Sequence, residues 1–230
     1  MEIKWLGQGG LSIKHGGTLV FVDPYLSDSV AKINPQNKRQ IAVDENIFSA
    51  PVDVIVLTHN HLDHTDPETL ERLLNTDKRI HVLAPEAAYY EVRKYAKNHD
   101  YLLFNRHCEY SFGDMRFRAV KASHSDVHPI GVIIQTKEKN VYITGDTLYN
   151  SEIFDDIDVK IDEMYVVING AGNNMNMTDA YRFVKRINPK TAIPVHWGMF
   201  APYDVDPNEF KAMFKNDDIE IKIPSVDFSW

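Results

Sequence analysis

The amino-acid sequence predicts a layered α/β protein in which β-sheets are flanked by helices. Short apolar stretches at 3–6, 11–14 and 19–22 are separated by glycine pairs, which is typical of a meander of strands. From Asp53 onward, strand and helix patterns alternate, and the alternation returns between residues 164 and 195. Because a sheet must bury its apolar faces against other elements, this pattern favours helices packed on sheets.

The second half of this prediction rests on further apolar runs and on helix start signals. The runs interpreted as strands are 54–58, 80–83, 117–121, 131–135, 141–144, 164–168 and 192–195. Helices are predicted from Asp66-Pro67, over 85–98, over 178–187 and from Asp206-Pro207, since an aspartate before a proline is a typical helix start. In the last helix we expect Phe210, Met213 and Phe214 to be buried. Residues 27–50 lack clear periodicity, and we expect a long loop there that borders a functional site.

Length and composition narrow the class of protein. The chain has 230 residues, 43% of them hydrophobic and 25% charged, which predicts a single domain over residues 1–230 with a substantial core. Its only cysteine, Cys108, excludes an intramolecular disulfide framework and favours a reducing, cytoplasmic location. We expect no membrane segment, because no apolar run approaches about 20 residues. The formal charge of −8 argues against a nucleic-acid partner but leaves a small anionic substrate open, and a homo-oligomer is compatible with it.

One short block concentrates residues that bind metals. His59, His61, Asp63 and His64 lie within six positions directly after the strand predicted at 54–58. Imidazole nitrogens and carboxylate oxygens are ligands that borderline divalent metals prefer. The block therefore predicts a metal site at the end of this strand rather than a polar surface turn.

Three more candidate ligands lie in matching positions. His124, Asp146 and His196 each follow the carboxyl end of an apolar run. Since ligands of α/β folds gather beyond the strand ends at one edge of the sheet, the four segments are expected to surround one cleft. Seven ligands exceed what one tetrahedral ion needs, and they divide naturally between two ions about 3.5–4 Å apart. With no cysteine ligand, Mn²⁺ and Zn²⁺ are the leading candidates and Fe²⁺ is a third.

These motifs, in this order, resemble the metallo-β-lactamase-fold superfamily along almost the whole chain. The resemblance includes Asp23 in Phe-Val-Asp-Pro-Tyr and Asp146 in Gly-Asp-Thr. It implies a four-layer αββα sandwich with a dinuclear centre at one sheet edge. Shorter segments, Trp-Leu-Gly at 5–7, Ile-Asn-Gly at 168–170, Asn-Met-Thr at 176–178 and Ile-Pro-Val-His at 193–196, are similar to the L-ascorbate-6-phosphate lactonase-like group.

The resemblance also implies a role for each ligand. One ion would be held by His59, His61 and His124, and a second by Asp63, His64 and His196, with Asp146 bridging both. Asp23 would support the ligands from behind, and Asp63 and His64 would serve catalysis, with Asp63 or a neighbouring group moving the proton. Asn60, Tyr149 and Asn173 are candidate pocket residues because they lie close in sequence to ligands. His128 is a weaker candidate for the wall of the cleft.

The implied activity is hydrolysis of a small ester or lactone, with a sugar-phosphate lactone as the leading substrate class. The metals would lower the pKa of a shared water so that it can attack. A phosphodiesterase is the alternative, favoured if lysines or arginines such as Lys121 line the cleft. A di-iron redox protein is less favoured, because His61 stands where such members of the superfamily generally carry glutamate. A non-catalytic binding module is the remaining alternative, and it would be favoured if the purified protein held no metal.

Overall fold

The computed structural model describes residues 1–96 and 98–230, and within them two mixed β-sheets and five α-helices form the fold. The first sheet holds six strands in chain order: β1 Glu2–Gly7, β2 Gly10–His15, β3 Thr18–Val22, β4 Val54–Val56, β5 His81–Ala84 and β6 Asp100–Leu103. The second sheet holds seven strands: β7 Glu109–Phe112, β8 Met115–Lys121, β9 Ile130–Gln135, β10 Asn140–Ile143, β11 Glu163–Val167, β12 Thr191–Val195 and β13 Glu220–Ile221.

Both sheets are antiparallel on one side and parallel on the other. In the first, β1, β2 and β3 are antiparallel neighbours, while β3 to β6 run parallel. In the second, ordered β13-β12-β11-β10-β9-β8-β7, the pairs from β10 to β13 are parallel and those from β7 to β10 antiparallel. Strands β8 and β10 therefore point the same way, and their carboxyl ends lie at the same edge as those of β11 and β12.

Five helices cover the outer faces and the rim of the sheets: α1 Ser29–Ile33, α2 Pro67–Leu73, α3 Glu86–Val92, α4 Met177–Ile187 and α5 Pro207–Met213. Helices α2 and α5 begin at proline after the side-chain caps Asp66 and Asp206, as their sequences predict. Helix α4 is capped by Asn176 and ends at Asn188, whose φ of 55° is left-handed.

Three apolar cores separate the layers. Alternate residues of the strands, such as Val54 and Val56 in β4 and Val132 and Ile134 in β9, pack between the two sheets. The intervening residues of the first sheet pack against α2 and α3, and those of the second against α4 and α5. Because successive side chains of a strand point to opposite faces, each sheet buries both of its faces. The predicted αββα sandwich is confirmed.

The structure corrects several details of the sequence prediction. Residues 27–50 contain α1 and short 3₁₀ helices at Pro35–Asn37 and Glu45–Ser49, so they are not a plain loop. The helix predicted over 85–98 ends at Val92. Beyond it the backbone hydrogen bonds span three residues instead of four, as when the amide of Lys94 donates to the carbonyl of Glu91. Lys97, inside that prediction, lies outside the described residues.

Helix α5 also differs from the prediction in one buried position. Phe210 and Phe214 are buried as predicted, but Met213 is 36% exposed. Phe210 and Phe214, four positions apart, pack into the core beside the second sheet, whereas Met213, the last residue of this seven-residue helix, is not part of that cluster. Across the described ranges, no helix combines the length and the apolar character that crossing a membrane requires.

Candidate metal centre

The histidine-rich block is folded into a tight turn beyond β4. The amides of His64 and Thr65 both donate to the carbonyl of His61, at 3.0 and 2.8 Å. The Thr65 hydroxyl donates to the carbonyl of His59 at 2.7 Å. This turn ends the alternation of the strand, so that side chains from the block converge on one point.

One group of three imidazoles joins this block to the second sheet. Ring nitrogens of His59, His61 and His124 lie within 4.8 Å of one another, and His124 Nε2 is 3.0 Å from His61 Nδ1. His59 is fully buried, and its Nε2 atom has no hydrogen-bond partner in the part of the chain that is described. A buried ring nitrogen without a partner is costly unless a metal or another polar group satisfies it.

A second group lies beside the first. It contains Asp63, His64 and His196, whose ligand atoms also lie within 4.8 Å of one another. The Nε2 atoms of His64 and His196 are 3.4 Å apart, and Asp63 Oδ2 is 3.5 Å from His196 Nε2. Two nitrogen ligands of one tetrahedral zinc ion lie about 3.3 Å apart. The observed spacings therefore fit a common ion in each group.

Asp146 lies between the two groups. Its Oδ1 atom is 3.1 Å from His196 Nε2 and 3.4 Å from His64 Nε2, while Oδ2 is 3.8 Å from His124 Nε2. One carboxylate thus reaches both groups with different oxygens. All seven residues proposed as ligands from the sequence come together, and Asp23, His59 and His64 form a third group of ligand atoms within 4.8 Å of one another that overlaps the other two.

Hydrogen bonds behind the centre set which ring nitrogens face inward. The Asp23 carboxylate accepts from the Thr58 amide at 2.8 Å and from the Thr58 hydroxyl at 2.6 Å, and it lies 2.8 Å from His64 Nδ1. Since the Thr58 hydroxyl donates to Asp23, it accepts from His59 Nδ1, 3.0 Å away. Both imidazoles therefore carry hydrogen on Nδ1 and turn Nε2 toward the centre, as metal-binding histidines do.

Burial lowers the pKa values of the imidazoles, and the neighbouring carboxylates raise them. Burial and the neighbouring His64 hold the pKa of His59 well below its usual value. For His64 and His196 burial alone would lower the pKa, but nearby carboxylates, Asp146 foremost, outweigh it. They raise the pKa of His64 well above its usual value and that of His196 to about 9.

The carboxylates respond in turn to these imidazoles. Burial alone would raise the pKa values of Asp63 and Asp146, but His64 and His196 lower both below the usual range. The carboxylates are thus ionised and paired with the imidazoles, and a bound divalent cation would take the place of the imidazole protons.

Gln8 is a site residue that the sequence analysis missed. Its Nε2 donates to Asp63 Oδ2 at 2.8 Å and lies 3.0 Å from His196 Nε2. The backbone carbonyl of Gln8 accepts from the His196 amide and from the Trp5 indole. The signal was the run of glycines around it, because a Cβ at Gly9 would lie 2.8 Å from the His64 ring. Only glycine lets the chain pass that close.

Asn174 is the second missed residue. It is buried, and its Nδ2 donates to Asp146 Oδ2 at 2.8 Å. The neighbouring Asn173, a pocket candidate from the sequence, acts through its backbone: its carbonyl lies 3.2 Å from His124 Nδ1 and accepts from it. Asn173 has a φ of 65°, a left-handed conformation that asparagine tolerates well.

Other candidates lie elsewhere. The Asn60 amide donates to the Asp126 carboxylate at 2.7 Å, and Asn60 does not line the cleft. The Tyr149 ring packs against Phe154 and Phe183, on the outer side of the second sheet. His128 is exposed and lies 3.3 Å from Glu86.

A cleft of about 290 Å³ opens over the centre. One wall is rich in side-chain amides, and the other contains the apolar or aromatic side chains of Val30, Phe200 and Tyr203. Lys121, the candidate phosphate-binding residue, does not line it and pairs with Glu152 at 3.0 Å. A larger cavity of about 780 Å³ lies at β5 and β6, beside His81, and none of the seven proposed ligands lines it.

A family model and a named relative both match this chain over most of its length. A family model described as "Beta-lactamase superfamily domain" matches residues 18–197. A relative named UPF0173 metal-dependent hydrolase from Staphylococcus aureus (strain MRSA252) is 28% identical, and the match covers 99% of this chain and all of the relative.

Solved structures show the same fold. Igni18, described as a metallo hydrolase from the archaeon Ignicoccus hospitalis, has a TM-score of 0.78 at 21% identity, over 96% of this chain and 93% of that one. The metallo-beta-lactamase fold protein YhfI from Bacillus subtilis has a TM-score of 0.75 at 17% identity, over 99% and 98% of the two chains.

Proposed function

We propose that this protein is a metal-dependent hydrolase of small esters or lactones. The premise is that the chain belongs to the family described as "Beta-lactamase superfamily domain". The observation that carries the proposal is the convergence of five imidazoles and two carboxylates in two groups that share Asp146. The relative's name, a metal-dependent hydrolase, points to the same activity.

The residues fit two divalent ions. His59, His61 and His124 would hold one, and Asp63, His64 and His196 the other, with Asp146 shared. When bound, such ions lower the pKa of water and polarise the substrate carbonyl. Nitrogen and oxygen ligands without thiolate suit Mn²⁺, Zn²⁺ and Fe²⁺.

We assign proton transfer to Asp63. It lines the cleft, and Gln8 holds its Oδ2 by a hydrogen bond of 2.8 Å. We assign it the proton that attacking water loses as its oxygen bonds to the acyl carbon. The acyl C–O bond then breaks, and the leaving alkoxide takes that proton, so that water is added across the bond. His64 is fully buried and does not line the cleft, so we assign it the role of holding a metal ion rather than that of contacting substrate.

A phosphodiesterase is less well supported. That activity was expected to show lysines or arginines in the cleft, and among the described lining residues there are none. Asn169, Asn173 and Asn174 stand on the polar wall instead. Neutral amides suit the hydroxyl or carbonyl groups of an ester better than the negative charge of a phosphodiester.

Metal analysis of freshly purified protein, followed by reconstitution with Mn²⁺, Zn²⁺ or Fe²⁺, tests the proposal. The loaded protein is then screened against lactones, phosphodiesters and thioesters, and we expect turnover of lactones or simple esters. Turnover of phosphodiesters alone would favour the alternative. A protein that binds no metal would support a binding module instead.

Two substitutions test the site itself. His61→Ala and Asp146→Ala should each abolish hydrolysis and reduce bound metal, because each removes a ligand that nothing nearby replaces. His107→Ala is the matched control, since its side chain is 70% exposed and outside the centre. Full activity in either ligand variant would contradict the assignment.

A further inference from the structure

We infer that the substrate of this cleft is uncharged beyond its reacting bond, with hydroxyl, carbonyl or N–H groups on one side and an aliphatic or aromatic group on the other. This inference rests on the proposed function and narrows it, because it argues against a phosphorylated sugar lactone. It depends on the chemistry of the two walls of the cleft.

The polar wall carries only neutral groups beyond the centre. Its amide side chains belong to Asn169, Asn173 and Asn174, while Asn37 lies beside Tyr203 and Val30 and Gln8 lies at the centre itself. The NH₂ group of Asn174 already donates to Asp146, but the Oδ1 atoms of Asn169 and Asn174 have no hydrogen-bond partner among the described residues. Such carbonyl acceptors pair well with hydroxyl or N–H groups. A phosphate or carboxylate is instead bound by arginine or lysine, and no such residue lines the cleft within ranges 1–96 and 98–230.

Nearby basic side chains are engaged elsewhere. Lys32 on α1 pairs with Glu68 at 2.5 Å. Arg39 donates to the carbonyls of Tyr25 and Ile41; its Nη2 is buried without a hydrogen-bond partner among the described residues, and Arg39 does not line the cleft. Lys38 follows the lining residue Asn37 in sequence but does not itself line the cleft. A charged group at the far end of a substrate would therefore leave water without gaining a cation.

The apolar wall is already formed. Phe200 is 6% exposed and packs edge to face on Tyr25, with ring centroids 5.8 Å apart. Val30 of α1 packs on the same cluster, and Tyr203, 42% exposed, extends the wall toward solvent. A preformed cleft with both apolar and polar lining orients a small molecule that has groups of each kind.

The size of the cleft agrees with a small substrate. Its volume of about 290 Å³ lies at the lower end of the range for small-molecule pockets. Each methylene buried against the wall should raise kcat/KM about fourfold until the cleft is filled. A carboxylate or phosphate in the same place should lower kcat/KM at least about tenfold, because it is desolvated without a partner.

Matched pairs of compounds test this with the metal-reconstituted, full-length protein. The first pair is 4-nitrophenyl butyrate and the 4-nitrophenyl monoester of succinate, which differ by a terminal carboxylate. The second is gluconolactone and its 6-phosphate. Acetate, butyrate and hexanoate esters give the chain-length series. We expect the uncharged member of each pair to be preferred by at least about tenfold.

Substitutions in the wall give the sharper test. Tyr203→Lys should raise the ratio of charged to uncharged turnover about tenfold, because it supplies the missing cation at an exposed position. Phe200→Ala should flatten the chain-length series. Met213→Lys is the matched control, since Met213 is similarly exposed but lies on α5, outside the lining residues, and it should leave the ratio unchanged.

The outcomes separate the two proposals. Turnover that favours the phosphorylated lactone or the succinate ester would overturn the inference and leave the hydrolase proposal standing. The inference would also be overturned if the wild-type protein preferred charged compounds and Lys38→Ala abolished that preference. If no compound is hydrolysed after reconstitution with any of the three metals, the proposed function fails and the inference falls with it.

Discussion

Asp23→Asn is the most informative single change at the centre. Asp23 is 1% exposed, and its carboxylate accepts from the Thr58 amide and hydroxyl and faces His64 Nδ1. Its φ of 42° is left-handed, a conformation that asparagine tolerates, so the backbone should stay in place. Asparagine keeps one acceptor for the Thr58 amide but turns a donor toward the hydroxyl and the imidazole.

The expected magnitude follows from these bonds. His64 Nδ1 loses its carboxylate, so Nε2 becomes a weaker and less well oriented ligand, and metal affinity should fall about 10- to 100-fold. That range corresponds to about 1.4–2.8 kcal/mol of binding free energy. The metal-free protein should lose about 1–3 kcal/mol of its free energy of unfolding, because a buried donor is left unsatisfied.

The assay is competition for the metal with a chelator of known affinity, together with denaturant unfolding of the metal-free protein. Asp53→Asn is the matched control, since Asp53 accepts from the Leu19 amide at 2.8 Å and pairs with Lys78, remote from the centre. It should lower stability without changing metal affinity. Wild-type affinity for both ions in Asp23→Asn would refute the reasoning.

Three further predictions rest on other contacts. Asn174→Ala removes the donor to the Asp146 carboxylate and should lower kcat/KM about tenfold, because the shared ligand is less well oriented; an unchanged value in steady-state assays would contradict this. Burial alone would raise the pKa of Asp156, but the bonds from Arg106 lower it, so Asp156→Asn should destabilise the protein by about 1–2 kcal/mol near pH 7. Since the folded-state pKa is the lower one, that difference should be complete above the ordinary value of 3.8 and shrink as the pH falls below it, which urea unfolding at several pH values would show. Phe210→Ala should lower the free energy of unfolding by about 3–5 kcal/mol in the same assay, since the ring is fully buried on the inner face of α5. A loss below about 1 kcal/mol would contradict its place in the core.

The layered fold and the ligand set were accessible from the sequence because both depend on local patterns. Apolar runs of four or five residues marked most strands, and His59, His61 and Asp146 lie one to three residues after such runs. Parallel strands carry their carboxyl ends to one edge, so residues at these positions meet without any knowledge of distances. Helix starts at Asp66 and Asp206 were predictable for the same reason, since a cap acts within one turn.

Other features depended on packing between distant segments. Asn174 carries no local signal of its contact with Asp146, and the glycines beside Gln8 indicate a close approach of the backbone but not the bond to Asp63, because those bonds join segments far apart in the chain. Tyr149 lies three residues after Asp146, yet its ring packs on Phe183. Proximity in sequence does not set the face to which a side chain turns once the strand has ended.

The sequence by itself determined the class of fold, the seven candidate ligands and the absence of thiolate among them, since residue type, periodicity and strand ends are written locally. Only the tertiary structure decided the chemistry of the cleft. The segments 27–50 and 197–203 come together at the cleft and bring Val30, Phe200 and Tyr203 into one lining with the asparagines, while Lys121 pairs with Glu152. Charge and shape at a site are sums over all the segments that meet there, and that meeting exists only in the folded chain.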